Sequence, residues 1–310
     1  MKRIEYDRYG GPELMHVATF SPPPPRHHEV RIKVMAASVN PFDWKLRKGE
    51  LKIFTGSTFP RGMGSDFSGV VQDVGPKVTR FKAGDEVVGS TTPKASGAFG
   101  EMVTAQEKLL VAKPASLSHA EAAVLPIPGV TAWLALVDKA NVTQGQTVFL
   151  NGALGAVGRA AIAIAKARGA KIAGRVGTQS LAEAQAIGLS PILDYDKPVP
   201  ADLKRAFDVV FDCNGSLAPE EGDRLRKPSG MIIDINLTKQ KLLRALLSKG
   251  RKFVFFNGKA ENLQKVVALA AAGKLFLPID STVALDNAIP LITAVEKGKR
   301  QGGKTVIQFF

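Results

Sequence analysis

Two hydrophobic rhythms divide the chain. Through roughly the first 110 residues apolar and polar positions alternate with period two. Val30-Arg-Ile-Lys-Val-Met-Ala36 and Gly69-Val-Val-Gln-Asp-Val-Gly75 are examples, and both predict half-buried β-strands. Phe81–Gly89 reads as a turn followed by a strand, and Pro22–Pro25 as a stiff connector unable to join a central strand. From residue 119 onward, strand-length apolar runs alternate with helical patterns. The pattern predicts a helix near 130–140, a strand at Thr147, a helix from Ala156, a strand over 171–176 and a helix over 180–187. Short strands follow at Ile192–Asp194, Phe207–Asp212, Met231–Ile235 and Lys252–Phe256. Parallel strands need crossover helices, so this half is predicted to be a doubly wound α/β sheet. A helix over Ala260–Ala272, then mixed strand, helix and strand ending in Lys304-Thr-Val-Ile-Gln-Phe309, is expected to return to the first domain.

The most specific stretch is Thr147-Val-Phe-Leu-Asn-Gly-Ala-Leu-Gly-Ala-Val-Gly158. An apolar strand enters a turn with glycines at 152, 155 and 158, and an alanine-rich helix follows and stops at Gly169. Strand, glycine turn and helix in that order put bare N–H groups and a positive helix end around a pyrophosphate. Gly152, Ala153, Leu154, Gly155, Ala156 and Val157 are the predicted pyrophosphate residues. The alternative is a tight βα turn that holds no ligand. Sites for NAD usually carry Asp or Glu at the end of the second strand, to bind the ribose 2′-hydroxyl. Here that strand runs into Gly174-Arg-Val-Gly-Thr-Gln-Ser180, with no carboxylate before Glu183. Arg175, Thr178 and Ser180 supply a cation and hydroxyls suited to a 2′-phosphate, which favours NADPH. An outward-facing strand residue is the plainer reading of Arg175. Asn214, Asn236, Phe255 and Phe256 fall at strand ends, where open α/β sheets bind ligands; caps and core packing account for them equally well.

Composition narrows the field. With 310 residues, 45% hydrophobic and 23% charged, the chain can bury two cores, and no apolar run is long enough to cross a membrane. Met1-Lys-Arg-Ile-Glu-Tyr6 reads as a strand and not as a signal peptide. The lone Cys213 excludes an internal disulfide and fits a reducing compartment, so a cytoplasmic location is expected. A formal charge of +14 raises nucleic acid or an anionic membrane as partners. Part of the excess lies at Lys239, Lys241, Arg244, Lys249, Arg251 and Lys252, around Leu242, Leu243, Leu246 and Leu247. A solvated helix face whose field attracts anionic cofactors is the favoured reading of this segment. His16, His27, His28, His119 and one cysteine are too scattered to make a zinc site.

Over its whole length the sequence resembles the zinc-independent medium-chain dehydrogenase/reductases of the quinone oxidoreductase (zeta-crystallin-like) group. The resemblance rests on Tyr6–Leu14, Ala36–Lys45, Gly64–Val71, Phe81–Gly89, Gly129–Trp133, Gly152–Gly158 and Gly303-Lys304. Zinc-binding relatives carry Cys-x-x-Asp where this chain has Asn40-Pro-Phe-Asp43, and Gly-His-Glu where it has Gly64-Ser65-Asp66. The resemblance therefore implies a metal-free site. It further implies a GroES-like partly open β-barrel domain over 1–118 and 273–310 and a Rossmann NADPH domain over 119–272. The active site is expected in the cleft between them, and a homodimer is expected to pair edge strands near Phe253–Phe256.

By the same resemblance the reaction is hydride transfer from NADPH to a quinone or to the C=C bond of an α,β-unsaturated carbonyl. Asn40 is the expected residue at the reaction centre, Asp43 orients its loop, Thr131 lies by the nicotinamide and Tyr195 by the adenosine ribose. Many relatives carry a tyrosine after the position of Gly49, whereas this chain reads Glu50-Leu-Lys-Ile-Phe54. That absence tilts the expectation toward quinones or toward solvent as proton source. The competing class is a non-catalytic, NADPH-responsive binding protein that uses its basic surface on RNA or membrane.

Overall fold

The computed structural model describes residues 1–247, 250–299 and 302–309. The chain forms two compact units: Met1–Ile127 with Gly258–Ala271 and Leu277–Phe310, and Pro128–Asn257 with Ala272–Phe276.

The period-two segments become strands. In chain order these are β1 (Lys2–Tyr6), β2 (His16–Thr19), β3 (Glu29–Ser38), β4 (Arg61–Gly62), β5 (Asp66–Val74), β6 (Glu86–Ser90), β7 (Met102–Gln106) and β8 (Leu110–Ala112). Three short helices join them: α1 (Pro41–Arg47), α2 (Lys52–Thr55) and α3 (His119–Ala123). Val30, Ile32 and Val34 point inward from β3 while Lys33 is exposed, which is the alternation read from sequence. They meet Ile4, Phe67, Val87, Phe99 and Leu110 in the core of this unit.

A helix over Pro126–Trp133 (α4) carries the chain into the second unit and continues as a wider turn over Leu134–Lys139, where Ala140 N–H donates to Ala135 O. Strands and helices then alternate: β9 (Thr147–Asn151), α5 (Ala156–Ala167), β10 (Lys171–Val176), α6 (Leu181–Ala186), β11 (Ile192–Asp194), β12 (Phe207–Asp212), α7 (Pro219–Leu225), β13 (Arg226–Asp234), α8 (Lys239–Leu247) and β14 (Arg251–Phe253). All six strands are parallel, in the order β11-β10-β9-β12-β13-β14. The order reverses between β9 and β12, and their carboxyl ends form the crevice where such sheets take ligands. β9 buries Val148, Phe149 and Leu150 in succession because helices cover both faces. Ala160, Ala161 and Ala165 of α5 are fully buried, small enough to let that helix lie close to the strands.

The last segment adds α9 (Ala260–Ala271), β15 (Ile279–Ala284), α10 (Ala288–Glu296) and β16 (Lys304–Gln308). β16 pairs antiparallel with β3 and parallel with β15, completing a seven-stranded sheet, while β2, β1 and β4 form a smaller one. The bounds of these two compact units differ in two places from the domain bounds expected from sequence. The first unit runs to Ile127 rather than 118, since Ile127 N–H is tied to the Asp66 carboxylate. Helix α9, expected in the nucleotide domain, falls in the first unit, where it lies beside β8; its buried face carries Leu263, Val266 and Val267. The edge strand is also shorter than expected, ending at Phe253.

Candidate functional site

In the second unit the chain leaves β9 at Asn151 and turns at Gly152, whose φ of +84° favours glycine. Gly152 and Ala153 both donate backbone N–H bonds to Arg175 O, at 3.2 and 3.1 Å, pinning the turn to β10. α5 starts at once, with Gly155 as its N-cap, no side chain capping it and no acid in its first turn. At Gly158 a Cβ would stand 2.3 Å from Gly152 O and 2.4 Å from Ala153 O, so only glycine lets the helix approach the turn. At Gly155 a Cβ would meet nothing closer than Gly152 O at 3.4 Å. The three glycines thus serve the tight turn, an open backbone face and close helix packing, the division of labour of a dinucleotide loop.

Polar residues close the carboxyl ends of the neighbouring strands. Asn151 Nδ2 donates to Asp212 Oδ1 and to Asn214 Oδ1, each at 2.9 Å. Asn214 Nδ2 donates to the Tyr195 hydroxyl at 2.9 Å. The Tyr195 phenol is pushed up to about 12, chiefly by burial. Its ring lies 5.5 Å from the Arg175 guanidinium. Arg175 Nη1 donates to Glu221 Oε2 at 2.8 Å and Nη2 to Lys197 O at 3.3 Å. Asn151 and Arg175 are direct cross-strand neighbours, and Asn151 Oδ1 and Arg175 Nε are each buried without a partner. Buried polar atoms of this kind ask for a ligand or water, and both sit beside the glycine turn. These residues fit a dinucleotide. Ser180 ends the turn after Thr178 and is half-buried. Asn236 packs where a Cβ on Gly215 would stand, and Thr131 is buried in α4. Phe255 is 64% exposed and Phe256 half-buried, both beyond the end of β14.

The basic segment is turned inside out relative to expectation. Lys241 lies 2.6 Å from Asp212 and 2.8 Å from Asp234, both fully buried. Arg251 pairs with Asp234 at 2.6 Å, and Arg244 with Glu220 and Asp223 at 2.5 and 2.6 Å. Lys252 Nζ donates to Lys139 O at 3.2 Å, and Lys249 lies outside the described residues. Meanwhile Leu242, Leu243 and Leu246 are 44%, 59% and 78% exposed. The solvated basic face expected here gives way because the two buried strand-end carboxylates draw the cations inward.

In the first unit Asn40, Asp43, Ser65, Asp66, Ser90 and Lys304 form one buried cluster. Asn40 Nδ2 donates to Ser38 O at 3.2 Å and to Asp66 Oδ2 at 3.0 Å, while its Oδ1 accepts from Lys304 Nζ at 2.7 Å. Both amide protons are committed, so giving one to a substrate would mean releasing a carbonyl or a carboxylate. Asp43 accepts from Asn40 N–H and from Ser65 Oγ, each at 2.8 Å, and so fixes the turn into α1. Asp66 accepts from Ser90 Oγ and, at 2.9 Å, from Ile127 N–H. Lys304 also donates to Val39 O at 2.5 Å. Burial pushes the Asp66 carboxyl up to about 7 and Asp43 up to about 6, and pulls the Lys304 ammonium down to about 8.

Asp66 and Lys304 were visible in sequence only as letters of two motifs. The signal available was a lysine opening an otherwise apolar closing strand. Among the described residues, the one His/Cys/Asp/Glu set close enough to share an ion is Glu5, Asp7 and His16 on the β1–β2 hairpin, where Glu5 already pairs with Arg3 at 2.6 Å. No helix among the described residues is long and apolar enough to cross a membrane.

A parallel sheet with a glycine turn at its reversal point, carried with an independent, mainly antiparallel unit, defines a dinucleotide-dependent dehydrogenase architecture. Comparison with known proteins agrees. Residues 26–115 match the alcohol dehydrogenase GroES-like domain and residues 187–307 the zinc-binding dehydrogenase domain. The chloroplast envelope quinone oxidoreductase homolog of Arabidopsis thaliana is 32% identical, with 93% of this chain and 92% of that protein aligned. The 2-methylene-furan-3-one reductase of Solanum lycopersicum is 33% identical over 99% of this chain and 79% of that protein. The structure of the quinone oxidoreductase from Coxiella burnetii superposes with a TM-score of 0.90 at 28% identity, over 100% of this chain and 99% of that one. The chain belongs to the quinone oxidoreductase group of the medium-chain dehydrogenase/reductase family, and is an oxidoreductase with a GroES-like and a Rossmann domain.

Proposed function

We propose that the protein is an NADPH-dependent oxidoreductase acting, without zinc, on a quinone or on the C=C bond of an α,β-unsaturated carbonyl. The observation that carries this reading is the Gly152–Gly158 loop with its uncapped helix, set at the reversal point of the sheet. Gly152, Ala153, Leu154, Gly155, Ala156 and Val157 would hold the pyrophosphate, Tyr195 and Asn214 the adenosine ribose, and Arg175, Thr178 and Ser180 the 2′-phosphate. Thr131, Asn236, Phe255 and Phe256 would flank the nicotinamide half. When bound, the coenzyme supplies a hydride from its nicotinamide ring.

Metal independence is supported by the chemistry of the donors. An amide at Asn40 and a hydroxyl at Ser65 are poor zinc ligands, and the Lys304 ammonium 2.7 Å from Asn40 Oδ1 would repel a second cation. Asn40 and Asp43 act in this reading as positioning residues that hold Lys304 and the turn before α1. The positive field of that ammonium favours negative charge developing on an acceptor oxygen.

A homodimer is proposed through the edge strand β14, which among the described residues pairs only with β13, and the neighbouring outward leucines of α8. The naming of relatives as a quinone oxidoreductase and as a furanone reductase supports the two acceptor classes. The test is to mix purified protein with NADPH and a panel of quinones and enones and follow nicotinamide absorbance. Turnover with at least one class is expected; NADPH binding without turnover of any acceptor would reduce the protein to a binding module.

A further inference from the structure

Two of the donors assigned above to the 2′-phosphate, Arg175 and Thr178, are already held by carboxylates of the same unit. Arg175 gives Nη1 to Glu221 at 2.8 Å. The Thr178 hydroxyl donates to Asp194 Oδ2 at 2.9 Å, with Asp196 Oδ2 also at 3.2 Å. These attachments differ in how easily they yield. Asp194 is itself fixed, because it accepts the Asp196 N–H at 3.0 Å, a bond that also holds its carboxyl below the usual range. Glu221 has no such anchor: among the described residues it pairs with Arg175 alone, projects from the first turn of α7 and keeps a quarter of its side chain in solvent. It can swing outward at little cost. The guanidinium cannot follow, since it is held by Lys197 O and lies against the Tyr195 ring. Its buried Nε has no partner, so the group has donor capacity to spare for a new anion.

We infer that Glu221 is a specificity-determining residue: it competes with the coenzyme's 2′-phosphate for Arg175 and thereby sets how strongly NADPH is preferred over NADH. The inference rests on the reading of Arg175 as the phosphate reader. NADPH must displace the Glu221 carboxylate and then tolerate it beside a dianion. NADH leaves the ion pair intact. The resting pair therefore subtracts from the affinity of the phosphorylated coenzyme alone, narrowing a preference that a free guanidinium would make wide.

The test uses the full-length protein and two fragments that lack the nicotinamide half, adenosine 2′,5′-bisphosphate and adenosine 5′-phosphate, titrated by calorimetry. Glu221→Gln keeps the shape of the side chain and removes its charge. It is expected to tighten the bisphosphate about tenfold and to change the monophosphate by less than about twofold. In an Arg175→Gln background the same substitution should lose most of that gain, which separates competition for the guanidinium from a general loss of negative charge. Circular dichroism checks folding, and Glu221→Ala provides a second variant with the same expected direction. If Glu221→Gln leaves the ratio of the two affinities at the wild-type value while Arg175→Gln lowers it, the competition is refuted and Arg175 keeps its role. If Arg175→Gln leaves the ratio unchanged, the reading of Arg175 falls and the inference falls with it.

Discussion

Lys304 Nζ donates to Asn40 Oδ1 at 2.7 Å, tying the closing strand to a turn 264 residues earlier in the chain. Around this bond two carboxylates, Asp43 and Asp66, and one ammonium share a site from which water is nearly excluded. The cluster holds the turn before α1, and it stores charge whose balance depends on pH.

Replacing Lys304 by Met should therefore be costly in a pH-dependent way. A carboxyl whose folded pKa lies above its unfolded value near 3.9 favours folding fully below that value, and the benefit is lost as pH rises through the folded pKa. For Asp43 and Asp66 that loss occupies the window from about pH 4 to about pH 7. In the variant no cation balances the carboxylates, so both hold their protons more tightly still. Thermal and urea unfolding should show a loss of about 3–5 kcal/mol at pH 8 and a clearly smaller one at pH 5. An equal loss at both values would mean that Lys304 serves packing and not charge.

The three glycines of the nucleotide loop should answer differently to alanine. Gly158→Ala puts a methyl 2.3 Å from Gly152 O and should destabilise the unit by about 3 kcal/mol or more, because backbone cannot move aside. Gly155→Ala meets only Gly152 O at 3.4 Å and has a φ of −70°, so its stability should change by less than about 1 kcal/mol. In the proposed reading its methyl would nonetheless stand on the face that takes the pyrophosphate, and the Kd for NADPH should rise by about tenfold or more. Fluorescence titration paired with a melting curve separates the two effects.

Charge placed on the outward face of α8 should reveal what covers it. Leu246→Glu, alone or with Leu243→Glu, touches side chains that are 78% and 59% exposed, so the fold should survive. Light scattering after gel filtration should give the mass of two chains for the wild type and of one chain for the variant. Two chains in both would move the interface elsewhere.

What the sequence made legible follows what backbone geometry demands. Glycines 152, 155 and 158 are fixed by a turn, an open face and a packing distance, so their spacing made the strand, turn and helix legible. Val30, Ile32 and Val34 declared β3 because one face of that strand is buried. Partners distant in the chain were not legible. Nothing local to Arg175 announces Glu221, 46 residues on, and nothing near Asn40 announces Lys304. The helix at 239–247 misleads for a related reason. Leucines beside lysines suggest leucines inward, but Asp212 and Asp234, buried at the ends of β12 and β13, reverse its orientation. Glu220, Asp223 and the strand-end carboxylates take up Lys241, Arg244 and Arg251, so the segment offers less free charge to RNA or membrane than its composition promises.

The central claim is reduction of an organic acceptor by a bound nicotinamide coenzyme with no metal taking part. It is tested most directly by measuring NADPH oxidation with a responsive quinone or enone before and after exhaustive treatment with a zinc chelator, with metal content determined on the same samples. The account predicts substoichiometric metal and an unchanged rate. A rate that disappears with the metal and returns when zinc is restored would contradict it.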